Sequence, residues 1–146
     1  MKKLILVLVT LCSIASVSHA QRFTVGGAIG LTNGSNAQFS VFVGANDILK
    51  VLFIGADARL EGNLTLGGNV LASVGGAFLG TLNLGIVTVY AGPQLNYALA
   101  NNALSFGALG GVRYPLILGL SVFLEGGALF TDPLVWRVRA GASFSF

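Results

Sequence analysis

The sequence is poor in the residues that carry most protein chemistry. Cys12 and His19 are its only cysteine and histidine, and both fall within the first twenty of 146 residues. That same stretch has the order of an export signal: Lys2 and Lys3, an apolar run from Leu4 to Ala15, then the small-x-small triplet Ser18-His19-Ala20. Residues 1–20 are therefore expected to be a cleaved signal peptide, and residues 21–146 the mature domain. A lipid anchor on Cys12 would need a small residue before it, and Leu11 is not small. The mature domain then has no disulfide framework, no Ser-His pair and no His/Cys metal site. No catalytic residue, no cofactor and no metal is expected. Asp57, Glu61 and Asp132, read as lying near a rim, could hold a hard cation only weakly. Gly26-Gly27-Ala28-Ile29-Gly30 lacks the Lys-Ser/Thr ending and the following helix of a phosphate loop.

Charge is also scarce. Asp, Glu, Lys and Arg make up 9% of the chain, against about 25% in ordinary soluble domains. Without Lys2 and Lys3 the basic residues are Arg22, Lys50, Arg59, Arg113, Arg137 and Arg139, against five acidic ones. A balance near +1 excludes a basic nucleic-acid surface, so no nucleic-acid partner is expected. A surface so short of charge would dissolve poorly in water and suits contact with lipid.

What is present is alternation. From Val135 to Phe146, Trp136, Val138, Ala140, Ala142, Phe144 and Phe146 fall on one parity. Arg137, Arg139, Gly141, Ser143 and Ser145 fall on the other. Successive strand residues point to opposite faces, so this segment as a strand has one apolar face and one polar face. A terminal Phe closing such an apolar face resembles the last strand of bacterial outer-membrane β-barrels, specifically the small OmpA/OmpX-type barrels. The resemblance implies an all-β fold: an eight-stranded antiparallel transmembrane up-and-down β-barrel over residues 21–146. It also implies a bacterial outer-membrane location, lipid as the surrounding partner, and assembly machinery that reads the C-terminal strand. With nothing after Phe146, no appended peptidoglycan-binding module is expected.

A helical inner-membrane protein is the rival. No charged residue occurs from Gly62 to Val112, and Gly76 to Gly80 and Gly107 to Gly111 fit small-xxx-small helix contacts. Against it stand the Gly, Asn, Ser and Thr in that run, and Pro93 within it.

A spanning strand needs about 9–11 residues. The expected strands are Arg22 to Leu31, Gln38 to Asn46, Val51 to Glu61, one within Leu66 to Leu82, Val87 to Leu99, Leu104 to Tyr114, Gly119 to Thr131, and Val135 to Phe146. Asn46 to Lys50 is expected to turn the second strand into the third. With both termini in the periplasm, the outward aromatics sort into two interfacial girdles. Phe39, Tyr97, Phe106, Phe130 and Trp136 are expected at the extracellular end, and Phe23, Tyr114, Phe144 and Phe146 at the periplasmic end.

The same faces send Arg22, Asp57, Arg59, Arg113, Glu125, Arg137 and Arg139 into the bore, with Glu61 near a rim. Charge in a narrow bore must pair. Glu125 with Arg139 is the expected pair, and Asp57 and Arg59, read as near the upper rim, are the expected neighbours of Arg137. The functional expectation is a non-catalytic barrel with a structural or surface-interaction role; a narrow channel for ions or small solutes is the alternative. Far-UV circular dichroism of the mature chain refolded in detergent should show β-structure, and a predominantly helical spectrum would exclude the barrel.

Overall fold

The computed structural model describes residues 22–146; the expected signal peptide lies outside the described residues. The described chain forms β1(Arg22–Thr32), β2(Asn36–Val51), β3(Ile54–Leu66), β4(Val70–Asn83), β5(Thr88–Ala98), β6(Ala103–Pro115), β7(Leu120–Leu129) and β8(Val135–Ser145). Each strand pairs antiparallel with the next, and β8 pairs with β1, so the sheet is a closed up-and-down barrel. The helical alternative is overturned. The uncharged stretch from Gly62 to Val112 supplies the end of β3, all of β4 and β5, and most of β6. No helix among the described residues is long and apolar enough to cross a membrane. Period two explains the outcome: Asn63, Thr81, Gln94 and Asn96 all turn to the buried side while Leu64, Leu82, Leu95 and Tyr97 turn out.

The pairing also measures the shear. Beginning at Phe23, the line of opposed residues runs through Ala45, Ala58, Phe78, Pro93, Ala108, Ala128 and Trp136. It returns to β1 at Asn33, whose N–H donates to the Trp136 carbonyl at 2.9 Å, ten residues beyond its start. Eight strands with such a stagger lean about 35–45° from the barrel axis and leave only a narrow bore. Inward positions at the tightest approaches are glycine. A Cβ at Gly92 would fall on the Phe78 carbonyl, and one at Gly107 on the Ala128 carbonyl.

The barrel is inside-out relative to a soluble protein. Among the described residues, fifteen polar or charged side chains are buried against seven hydrophobic ones, while Ile29, Val41, Leu60, Phe106 and Phe130 stand exposed on the outer wall.

One boundary differs in a way that matters for the bore. The Asn46 to Lys50 turn does not form; β2 continues to Val51, and Leu52-Phe53 makes the turn. A bulge between Ala45 and Leu49 takes up the polar residues instead, with Asp47 at φ +54°. The displaced turn puts β3 at Ile54–Leu66, longer toward the loops than expected.

Gly107→Ala should destabilise the barrel by about 1–3 kcal/mol, because a carbonyl blocks the added methyl. Gly68→Ala, where an added Cβ meets nothing within 4 Å, should change stability by no more than about 0.5 kcal/mol. Urea titration in detergent micelles distinguishes the two.

Candidate functional site

The middle of the bore is an ion-paired cluster. β3 contributes Arg59 and Glu61, two residues apart and on the same face. β8 contributes Arg137 and Arg139 by the same alternation, and β7 places Glu125 directly opposite Arg139 in register. Arg139 Nε donates to Glu125 Oε1 at 2.7 Å, and its Nη2 to Glu61 Oε2 at 2.6 Å. Arg59 Nη1 donates to Glu125 Oε2 at 2.5 Å, and Arg137 Nη2 to Glu61 Oε1 at 2.8 Å. Two carboxylates therefore bridge three guanidinium groups.

Neutral side chains fill most of the remaining sites. Tyr90 OH donates to Glu125 Oε2 at 2.8 Å. Arg139 Nη1 reaches Ser40 Oγ at 3.0 Å and Asn63 Oδ1 at 3.2 Å. Gln94 accepts a hydrogen bond from Arg137 through Oε1 and donates through Nε2 to the Ala108 carbonyl at 3.2 Å. Arg139 is 2% exposed. The bore is occluded at that height.

A second pair lies nearer the end that carries Arg22 and Phe146. Arg113 Nη2 donates to Asp57 Oδ2 at 2.8 Å, and the Asp47 N–H donates to Asp57 Oδ1 at 2.9 Å. Recesses open from both ends toward the cluster. The one at the end of the β1–β2 loop holds about 560 Å³ and has Gln38, Asn96 and Arg137 in its wall. The other holds about 180 Å³ and is bordered by Arg22, Lys50, Asp57 and Arg113.

Several sequence expectations need correction. Arg22 is exposed at the mouth and makes no salt bridge among the described residues, so it does not belong to the buried network. Glu61 is no rim residue; it is 6% exposed and joins Arg137 to Arg139. Asp57 lies toward the terminal end and meets Arg113, while Arg137 pairs with Glu61 rather than with Asp57 or Arg59. The displaced β2–β3 turn is the reason, since it sets every β3 side chain closer to the terminal end. Asp132 sits in the β7–β8 loop, far from Asp57, and no metal-holding group of three or more His, Cys, Asp or Glu exists among the described residues. Tyr90, Gln94, Ser40 and Asn63 were not singled out from sequence; their parity on the inward face was the available signal.

The nine aromatics expected in the girdles all face outward and are exposed, while Phe42, Tyr90 and Phe123 are buried on the inner side. Phe23, Tyr114, Phe144 and Phe146 lie on strand ends at the terminal side, and Phe39, Tyr97, Phe106, Phe130 and Trp136 toward the opposite side.

No protein-family model matches this sequence, and no curated protein does. Solved structures do match. The outer membrane enzyme PagL has a TM-score of 0.69 at 13% identity, over 83% of this chain and 98% of that one. A de novo designed transmembrane β-barrel has a TM-score of 0.68 at 14% identity, over 88% and 98%. Ail of Yersinia pestis in a phospholipid nanodisc has 0.60 at 10% identity, over 88% and 100%. The fold is that of the small eight-stranded outer-membrane barrels. Identities this low carry the fold and none of the chemistry, so the barrel's role has to be argued from its own residues.

Removing one carboxylate strands two guanidinium groups in a buried bore. Glu125→Gln and Glu61→Gln should each cost about 3 kcal/mol of folding stability. Asp47→Asn at the partly exposed Lys50 pair (3.5 Å) should cost less than about 1 kcal/mol. Denaturant midpoints in micelles provide the comparison.

Proposed function

We propose that this chain is a non-catalytic integral barrel of the bacterial outer membrane, with its termini toward the periplasm and a structural or surface-interaction role. The observation that carries this reading is the occluded bore: an apolar wall outside, and inside it carboxylates and arginines that satisfy one another. Lipid is then the main partner, with the two sets of outward aromatics at its interfaces. The C-terminal strand, ending Phe144-Ser145-Phe146, is the segment assembly machinery would read.

PagL shows that this fold also serves an enzyme. Against a catalytic role here, residues 21–146 contain no histidine or cysteine. The buried carboxylates Glu61 and Glu125 are each held by arginines and shut away from substrate. The loops on the side opposite the termini are short: Asn33 to Ser35, Gly67 to Asn69, Leu99 to Asn102 and Phe130 to Leu134. They offer no protruding sheet edge, so contacts at the cell surface would be made by the loop ends themselves.

A narrow solute path is the second reading, supported by the recesses that approach the cluster from both ends, with Gln38, Asn96 and Arg137 in the wall of one and Arg22, Asp57 and Arg113 in the wall of the other. Reconstitution into planar bilayers separates the two. The occluded barrel gives no discrete current steps, together with heat-modifiable migration and recovery in the outer-membrane fraction. Steps that change with Arg137→Ala or Arg139→Ala would replace it with the channel.

A further inference from the structure

The ion-paired cluster has one more cation than anion: Arg59, Arg137 and Arg139 stand against Glu61 and Glu125. Arg137 is its member on the side of the β1–β2 loop, where it borders the recess of about 560 Å³. Its Nη2 makes both of its hydrogen bonds, to Glu61 Oε1 at 2.8 Å and to Gln94 Oε1. Nε and Nη1 have no hydrogen-bond partner among the described residues, and unlike Nε and Nη2 of Arg59 they are not sealed off from their surroundings. A side chain only 6% exposed thus keeps accessible, unengaged charged donors at the floor of a concavity.

The rest of the recess suits an organic occupant. Its volume lies within the roughly 300–1,000 Å³ usual for small-molecule sites. Most of its wall is apolar, with Leu71, Leu129 and Val135 among the residues, while Asn96 and Ser105, opposite each other in register, add an amide and a hydroxyl. The one acid in the wall is Asp132, which stands exposed in the β7–β8 loop at the mouth. Positive charge therefore lies at the floor and negative charge at the entrance. Water alone would solvate Arg137 but leave the apolar wall wet and the extra charge of the cluster unanswered. An inorganic anion would answer the charge and still leave the wall wet. One carboxylate on an apolar body does both, through a charge-assisted hydrogen bond and burial of hydrocarbon.

We propose that this recess binds a small organic monocarboxylate, its head group on Arg137 and its apolar body against Leu71, Leu129 and Val135. Such a ligand enters from the side opposite the termini. The site requires only the recess and the guanidinium at its floor, so it stands whether or not the barrel passes solutes.

The probe is 4-fluorobenzoate, followed by fluorine NMR with the full barrel in zwitterionic micelles. Wild type should bind it saturably at one site per barrel, above the linear partitioning into the micelle. The uncharged 4-fluorobenzamide has the same body and should bind about tenfold more weakly, having lost the charge-assisted contact. Arg137→Gln should weaken 4-fluorobenzoate by a similar factor. Ser105→Trp fills the recess, leaves every ion pair in place and should abolish saturable binding, so it decides the matter even if the Arg137 variant fails to refold. The proposal is overturned by an absence of saturable binding to wild type, by equal binding of the amide, or by binding that survives Ser105→Trp or Arg137→Gln undiminished.

Discussion

A sheet surrounded by hydrocarbon has nowhere to leave an unpaired backbone N–H or C=O, and closure onto itself is the solution open to strands. In this barrel the β1–β8 seam performs that closure, and it extends to the last residue. Phe23 N donates to the Phe146 carbonyl at 3.1 Å, and Phe146 N to the Phe23 carbonyl at 2.9 Å. The wall has a gap in its ladder: Pro93, without an N–H, stands opposite Phe78, and the β4–β5 pairing lapses there before resuming at Gly80 and Ala91. With both neighbouring strands paired on their other edges, the lapse remains local.

Closure at eight strands then dictates the interior. An eight-stranded bore is just wide enough for side chains to fill, so inward side chains must fit and satisfy one another. Glycine stands where strands approach too closely for a Cβ, and polar or charged residues occupy most of the remaining inward positions. Glu61 on β3 reaches Arg137 and Arg139 on β8, strands that are not neighbours in the wall. Such contacts cross-brace the barrel and tie together the registers of β3, β7 and β8. A one-residue slip of any of these would turn its charges toward lipid, so the network opposes slippage as well as filling space.

The same network makes the interior uneven. Glu61 and Glu125 each accept hydrogen bonds from two arginines, whereas Arg59 has one hydrogen-bonded carboxylate and an aromatic face. The apolar rings of Phe42 and Phe123, edge to face at a centroid distance of 5.5 Å, occupy the level beside it. The bore thus alternates charged and apolar layers along its axis, and the boundary between them is where a buried charge is least well answered.

Much of this could be read from the chain alone. Strict alternation in Val135 to Phe146, repeated less cleanly upstream, determined that the chain is all β, which residues face out, and that Asp57, Arg59, Glu125, Arg137 and Arg139 face in. Parity is local, so a sequence carries it. The height of each charge is not local. It depends on where hairpins turn and how far the closed sheet is sheared. Here Asn46 and Asp47 have the composition of a turn but form a bulge, while the chain reverses at Leu52, an apolar residue at φ +56° that nothing in its side chain announces. That displacement, together with the ten-residue shear, decided that Glu61 meets the arginines of β8 and that Asp57 meets Arg113, because partners across a bore are chosen by the geometry of closure rather than by any spacing along the chain.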